Sequence, residues 1–327
     1  MAEQAALLHA LVLDGRGGAR SVSYEALATL ELEPHESLWV HWDRSQSLTQ
    51  QWLRESSGLD EFCCDLLLEE NTRPRLLPLP KQQLLVFLRG LNRNPNADPE
   101  DMVSVRIFAE AHRVISLRLR PLRATEALLQ DLEAGRGPKT VAEILLSLAS
   151  HLSRHVDELI THLSDLLDAE EDRLDDDERY RPDQHHMLQL RRRAAGLRRF
   201  LAPQRDIYAQ MPKARQPWFG ELDDGYWNEL NNRMIRYLEE LELLRERVSL
   251  VLEAESRRLS ERMNRIMYRF TVITGLFLPL TFLTGLLGIN VSGIPGADSP
   301  YGFYVACGLM VLLTIGQIWL YRRWRWL

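Results

Sequence analysis

Two stretches near the C-terminal end carry no charge: 20 residues from Phe270 to Ile289 and 21 from Tyr301 to Tyr321. A helix crossing the ~30 Å hydrocarbon core needs about 20 apolar residues. The pattern predicts a transmembrane hairpin, with spans 270–289 and 301–321 joined by the 11 residues 290–300. Upstream, apolar β-rich runs stand at Leu8–Leu13, Leu38–Trp42, Arg75–Leu79, Gln83–Leu88, Val103–Ala109 and Arg113–Leu119. Turn signals at Asp14-Gly15, Asn92–Pro99 and Glu110-Ala111 separate them. Residues 1–122 therefore read as a cytosolic α/β domain, a sheet flanked by helices such as Ser47–Ser56, opened by a Ser or Thr cap. Trp39-Val40-His41-Trp42-Asp43 reads as a buried core strand.

From Arg123 the spacing turns helical. A helix over Arg123–Ala134 ends at Gly135-Arg136-Gly137-Pro138. A long one from Thr140 to about Tyr180 carries a seam of Leu145, Leu148, Leu152, Leu159, Leu163 and Leu166. It closes in the acidic run Asp168–Glu178, eight carboxylates and one arginine. A basic helix, Asp183 to about Ala202, bears Arg191, Arg192, Arg193, Arg198 and Arg199 and suits the acidic run as an antiparallel partner. Pro203, Pro212 and Pro217 then break the chain, closing a helical region over 123–222. The last helix starts at Asp223 or Asp224 and runs as a stalk into the first span, 223–289, about 100 Å at 1.5 Å per residue. A helix so long calls for stalks from other copies. Pro279 removes one of its backbone bonds.

The first span is more polar than an anchor requires: Thr271, Thr274, Thr281 and Thr284, with Gly275, Gly285 and Gly288. The second span has one polar outlier, Gln317. The first therefore faces protein or water and the second lipid, although glycine and threonine also serve plain helix packing. Arg258, Arg262, Arg265 and Arg269 precede the first span, Arg322, Arg323 and Arg325 follow the second, and the turn has no basic residue. Both termini, including the tail 322–327, are expected in the cytoplasm. Trp319, Tyr321, Trp324 and Trp326 make an inner aromatic belt; Tyr301, Phe303 and Tyr304 make an outer one.

Composition narrows the picture. The 327 residues are 26% charged, with net charge −6 and mean hydropathy −0.25. That suits a large soluble part plus a hairpin and leaves no nucleic-acid footprint. Cys63, Cys64 and Cys307 form neither a disulfide framework nor a closed zinc motif. Met1–Ala10 lacks a basic n-region, so no cleavable signal is expected. Gly15-Arg16-Gly17-Gly18 is a hairpin-type turn without the Lys-Ser/Thr of a phosphate loop. No nucleophile–base constellation stands out, and an enzyme is not expected.

Pro279-Leu280-Thr281-Phe282, Thr284-Gly285, Gly288-Ile289-Asn290, a second span and a basic tail together resemble the CorA metal-ion transporter family. That family's hallmark is Gly-Met-Asn at the outer end of the first span; here Ile289 takes the middle place. Gly293-Ile294-Pro295-Gly296 resembles the ZntB zinc-transporter branch. The resemblance implies a funnel-shaped homopentamer in the inner (cytoplasmic) membrane, a mostly helical α+β membrane protein with two transmembrane helices. It implies transport of Zn²⁺, with coupling to protons as one mode and with Mg²⁺, cobalt or nickel as alternatives. Gly288, Ile289 and Asn290 become the selectivity filter. Helical spacing back from Asn290 puts Asn264, Met267, Thr271, Thr274, Leu278, Thr281, Gly285 and Gly288 on one pore-lining face, beside Phe270. Asp298 is the one acid of the external turn, a weak attractor of cations. No resident cofactor is implied. The partners are divalent ions, the bilayer and further copies of the chain.

His151, His155, Glu158, His162 and Asp165 step by 4, 3, 4 and 3. On one helix they suit a cytosolic zinc site and equally a solvated polar face, the plainer reading. His185-His186 is a weaker candidate. A reading of another class, a membrane-tethered ligand-binding or signalling protein, predicts a monomer or dimer and no ion flux.

Overall fold

The computed structural model describes residues 6–70, 72–177, 179–214, 216–220, 223–289 and 299–323. Asn290, Gly293-Ile294-Pro295-Gly296, Asp298, Trp324, Arg325 and Trp326 lie outside them. The chain divides into two compact units, Met1–Leu252 and Glu253–Leu327.

The first unit is built on a seven-stranded sheet, β1 (Leu7–Leu13), β2 (Ala19–Ser21), β3 (Ser37–Asp43), β4 (Arg75–Leu79), β5 (Gln83–Gly90), β6 (Val103–Glu110) and β7 (Arg113–Arg118). Their order is β2-β1-β3-β7-β6-β5-β4. β3 and β7 are parallel, with Val40 opposite Ile115; the other pairs are antiparallel. Each apolar run is bounded by turn residues, and each became a strand. At the first turn Asp14 accepts from the N–H groups of Arg16 (2.7 Å) and Gly18 (3.0 Å). Gly17 takes φ +109°, and a Cβ there would strike the Gly135 carbonyl oxygen at 2.8 Å.

Both faces of the sheet are covered, which is why β3 is buried on both sides. Leu38, Val40, Trp42, Phe87, Phe108 and Ile115 pack under α1 (Ser47–Glu55) and α2 (Glu61–Leu68), around Trp52, Leu53, Cys63 and Leu67. Trp42 stacks on Trp52 at 4.5 Å between ring centres. No side chain caps α1, contrary to the expected Ser or Thr cap; Thr49 Oγ1 instead donates to the Asp43 carbonyl at 2.6 Å. The other face meets α4 (Val141–Ser153) and α6 (Gln184–Gln210), with α3 (Arg123–Glu133) packed against α4.

Three expectations are corrected. The helix from Thr140 to Tyr180 is two helices, α4 and α5 (Val156–Asp176), parted at Arg154 and His155. At the break Ser153 Oγ donates to the Ala149 carbonyl of its own helix at 2.9 Å and lies 3.2 Å from the buried Tyr208 hydroxyl. Pro203 does not end α6, which continues to Gln210. An interior proline costs ~3 kcal/mol; against it stand buried Leu201, Ile207 and Tyr208, and buried Gln204, whose Oε1 accepts from Arg89 N–H at 2.8 Å. Among the described residues the acidic run does not pair with the arginines of α6. Arg247 reaches Glu171 and, at 2.5 Å, Asp168, while Arg193 and Arg198 pair with Glu100 (2.6 Å) and Glu242 (3.0 Å).

The last two helices are α7 (Asp223–Leu287) and α8 (Gly302–Arg323). α7 is one unbroken helix of 65 residues that passes through Pro279. Inside the first unit it buries Trp227, Leu230, Met234, Tyr237, Leu241, Leu244, Val248 and Val251, a strict alternation of three- and four-residue steps that makes one stripe. Both helices contain a stretch apolar and long enough to span a membrane.

Candidate functional site

The second unit holds the rest of α7 and all of α8. At about 100° per residue the two sides of α7 differ. Val272, Leu276, Pro279 and Leu283 are partly covered and share one side. Next to it, Gly275 lies under the Tyr321 hydroxyl of α8, which would be 2.6 Å from a Cβ. This is the hairpin's internal seam.

Most of the predicted conduction residues point away from that seam, with Asn264 about a quarter turn from it. Asn264, Met267, Phe270, Thr271, Thr274, Leu278, Thr281, Gly285 and Gly288 are all exposed; Phe270 is 65% and Leu278 66% accessible. Gly288 follows the helix, its N–H donating to the Thr284 carbonyl at 2.9 Å. Ile289 is exposed beyond it, and Asn290 lies outside the described residues.

The threonines explain how a polar stripe persists in an apolar helix. Thr271 Oγ1 donates to the Met267 carbonyl and Thr281 Oγ1 to the Phe277 carbonyl, each at 2.9 Å. Thr284 Oγ1 is within 3.1 Å of the Leu280 carbonyl and 3.0 Å of the Thr281 carbonyl. Each hydroxyl hydrogen is used within its own helix, so the oxygen lone pairs are left to act as acceptors. Neutral oxygen acceptors suit a hard divalent cation and hold it weakly. Pro279 lacks the N–H that would bond the Gly275 carbonyl, leaving that oxygen without its helical partner.

The histidine series does not assemble. The break at Arg154–His155 ends the common helix face, and among the described residues no three His, Cys, Asp or Glu side chains gather where a metal would fit. His151 Nε2 pairs with Asp131 Oδ2 at 3.0 Å, and His155 Nδ1 with Glu158 Oε2 at 3.1 Å. His162 and Asp165 are exposed. His186 lies 3.6 Å from Glu170, whose other oxygen accepts from the Tyr180 hydroxyl at 2.6 Å. His185 meets Gln189 at 2.8 Å.

His41 lies in the run read from the sequence as a buried core strand, and the structure bears that reading out. It is fully buried beside Ser116, its Nδ1 2.8 Å from Ser116 Oγ. Trp39 Nε1 donates to the same oxygen at 2.8 Å. Burial, helped by Arg118, lowers the His41 pKa to about 3. The run Trp39–Asp43 was the available signal, and its role is in the core.

Known proteins point the same way. The chain matches the CorA-like Mg2+ transporter protein family over residues 35–323. It is 60% identical over 325 residues to the divalent cation transporter CmaX of Pseudomonas aeruginosa, covering 99% of this chain and 98% of that protein. It is 32% identical over 321 residues to the zinc transport protein ZntB of Pectobacterium carotovorum, covering 98% and 96%. The solved structure of full-length CmaX superposes with a TM-score of 0.87, at 60% identity and 98% of both chains. The CorA magnesium transporter of Methanocaldococcus jannaschii shares the fold, with a TM-score of 0.78 at 18% identity over 98% of this chain and 99% of that one. Matched over most of its length, the chain belongs to the CorA-like Mg2+ transporter family, whose members are membrane transporters of divalent cations and not enzymes.

Proposed function

We propose that this chain carries zinc across the inner membrane as a homo-oligomer, a pentamer by family likeness, with the exposed stripe of α7 lining the path. One observation carries the reading. The side of α7 that faces away from α8 bears Thr271 and Thr281, whose hydroxyl hydrogens are spent on their own helix, together with exposed Gly285 and Gly288. One helix cannot enclose a pore, so copies of the stripe must face one another. Gly288, Ile289 and Asn290 act as the filter in this reading. Oxygen dipoles there contact a hydrated ion without trapping it. Met267, Phe270 and Leu278 are its apolar constrictions, and Asp298 its outer acid. Residues 1–122, 123–222 and 223–289 serve as cytosolic domain, helical region and stalk with first span, with both termini in the cytoplasm. Zinc is favoured by the zinc transport proteins among the relatives and by the turn Gly293-Ile294-Pro295-Gly296.

Magnesium conduction through the same stripe is the second reading, favoured by the family's own description. The deciding experiment is ion entry into proteoliposomes containing the purified chain, with zinc and magnesium in competition, with and without an inward proton gradient. Zinc entry that rises with the gradient supports a coupled zinc importer, and zinc entry indifferent to it a zinc channel. Preferential magnesium entry overturns the zinc assignment. Asn290→Ala is expected to abolish flux while the oligomer still assembles; unchanged flux would remove Asn290 from the filter.

A further inference from the structure

Away from the stripe, the first unit contains a cavity of about 310 Å³ between α4, the end of α3 and the first turns of α7. Its polar lining comes from three elements and the break between α4 and α5. Asp131 is in the last turn of α3, His151 lies on α4, Arg154 is in the break, and Glu229 and Arg233 are on α7. Ser147 and Ser150 add two hydroxyls.

The charges are unequally matched. The Asp131 carboxylate pairs with His151, whose side chain is only 7% exposed. Glu229 lies 3.8 Å from Arg233. Arg154 has no hydrogen-bond or ion-pair partner among the described residues. A cation entering here meets two guanidinium groups and carboxylates already engaged, and no three-ligand metal group exists among the described residues. An anion meets the unused donors of Arg154, the remaining N–H groups of Arg233 and two serine hydroxyls. Guanidinium forks suit the oxygens of a phosphate.

We propose that this cavity is a phosphate-binding site, held by Arg154 and Arg233 and bounded by the Asp131–His151 pair, that takes a small phosphate-bearing molecule. Its volume is at the lower end of the range of small-molecule sites, about 300–1,000 Å³, so it holds more than a bare ion. Tyr226, Leu146 and Leu230 supply the less polar part of the wall. Burial first, then Arg154, holds His151 below its usual pKa, with Asp131 opposing them. A bound dianion acts in the same sense as Asp131. The assignment does not rest on which ion the chain transports.

The test is calorimetric titration of the full-length detergent-solubilised protein at constant ionic strength, with inorganic phosphate and, separately, adenosine monophosphate. Saturable binding at one site per chain is expected, weakened at least about tenfold by R154Q and by R233Q, as for loss of a charge-assisted contact. Saturation by inorganic phosphate identifies free phosphate as sufficient; saturation by the nucleotide alone identifies an organic phosphate. Absence of saturable binding with both probes overturns the site, as does unchanged affinity in R154Q. Arg154 is exposed at the helix break, so R154Q decides the matter even if R233Q does not fold.

Discussion

The Tyr321 hydroxyl of α8 sits over Gly275 of α7, 2.6 Å from where a Cβ would project. A side chain at 275 must therefore displace the tyrosine or part the helices. Gly275→Val is expected to destabilise the solubilised protein by about 1 kcal/mol, the low end of overpacking costs, because the contact is with the far end of the Tyr321 side chain. Gly285→Ala meets nothing within 4 Å in the chain and is expected to leave the single chain's packing intact. Thermal unfolding in detergent separates the two, and equal Tm losses would show that the seam does not depend on Gly275.

Thr271 and Thr281 present oxygen acceptors on the exposed side of α7. Replacing either by Val keeps the shape and removes the oxygen. The proposed path predicts that each substitution slows ion entry into proteoliposomes about fivefold, equivalent to ~1 kcal/mol of barrier. Thr314 on α8 donates to the Met310 carbonyl at 2.8 Å in the same way. Thr314→Val is expected to leave flux unchanged, since α8 is outside the proposed path.

Arg247 joins α7 to the acidic end of α5 through Asp168 and Glu171. Hydrogen bonds to those carboxylates, Glu171 first, raise its pKa further. The carboxylates are 52% and 31% exposed, so solvent screens much of the attraction. Arg247→Leu is expected to lower stability by about 1 kcal/mol at low salt. The difference from wild type should shrink in 1 M salt, where the Debye length falls to ~3 Å; a salt-independent difference would point to lost packing.

His41 gives the first unit an acid sensitivity of definite sign. Its folded pKa of about 3 lies below the ordinary 6.5. Between those values the unfolded chain binds a proton that the folded chain refuses. Stability from this group is complete above pH 6.5 and falls on acidification, by at most ~1.4 kcal/mol per pH unit, until pH reaches about 3. His41→Phe is expected to remove up to one proton from the pH slope of the unfolding free energy in that window, whatever it does to absolute stability. An unchanged slope would mean that His41 titrates normally in the folded protein.

Much of this architecture was legible because its signals are local. The six apolar runs became strands, and the uncharged stretches became two helices. The threonine and glycine spacing put the candidate residues on one side of α7. Other features depended on distant residues or on weak signals. β2 is three exposed residues, too short and too wet to show a pattern. α2, which the sequence reading did not single out, is capped by Asp60 accepting from Cys63 N–H at 2.7 Å. The α4–α5 break has no glycine or proline to mark it, and its buried neighbour Tyr208 is 55 positions from Ser153. The partner of the acidic run, Arg247, lies 76 positions from Glu171. Asn290, the expected outer end of the filter, lies beyond the described residues.

The parallel pairing of β3 with β7 also fixes an order of events during synthesis. Strands β1 to β3 leave the ribosome as one antiparallel group, and β4 to β7 as another. Their shared seam joins Leu38 to Arg113 and Asp43 to Arg118, so β3 waits for about seventy further residues before its second edge is paired. During that wait Trp39 and His41 lack the neighbours that β7 supplies. A nascent chain arrested before β7 is therefore a half-sheet with an open central strand, exposed to chaperones and to other nascent chains.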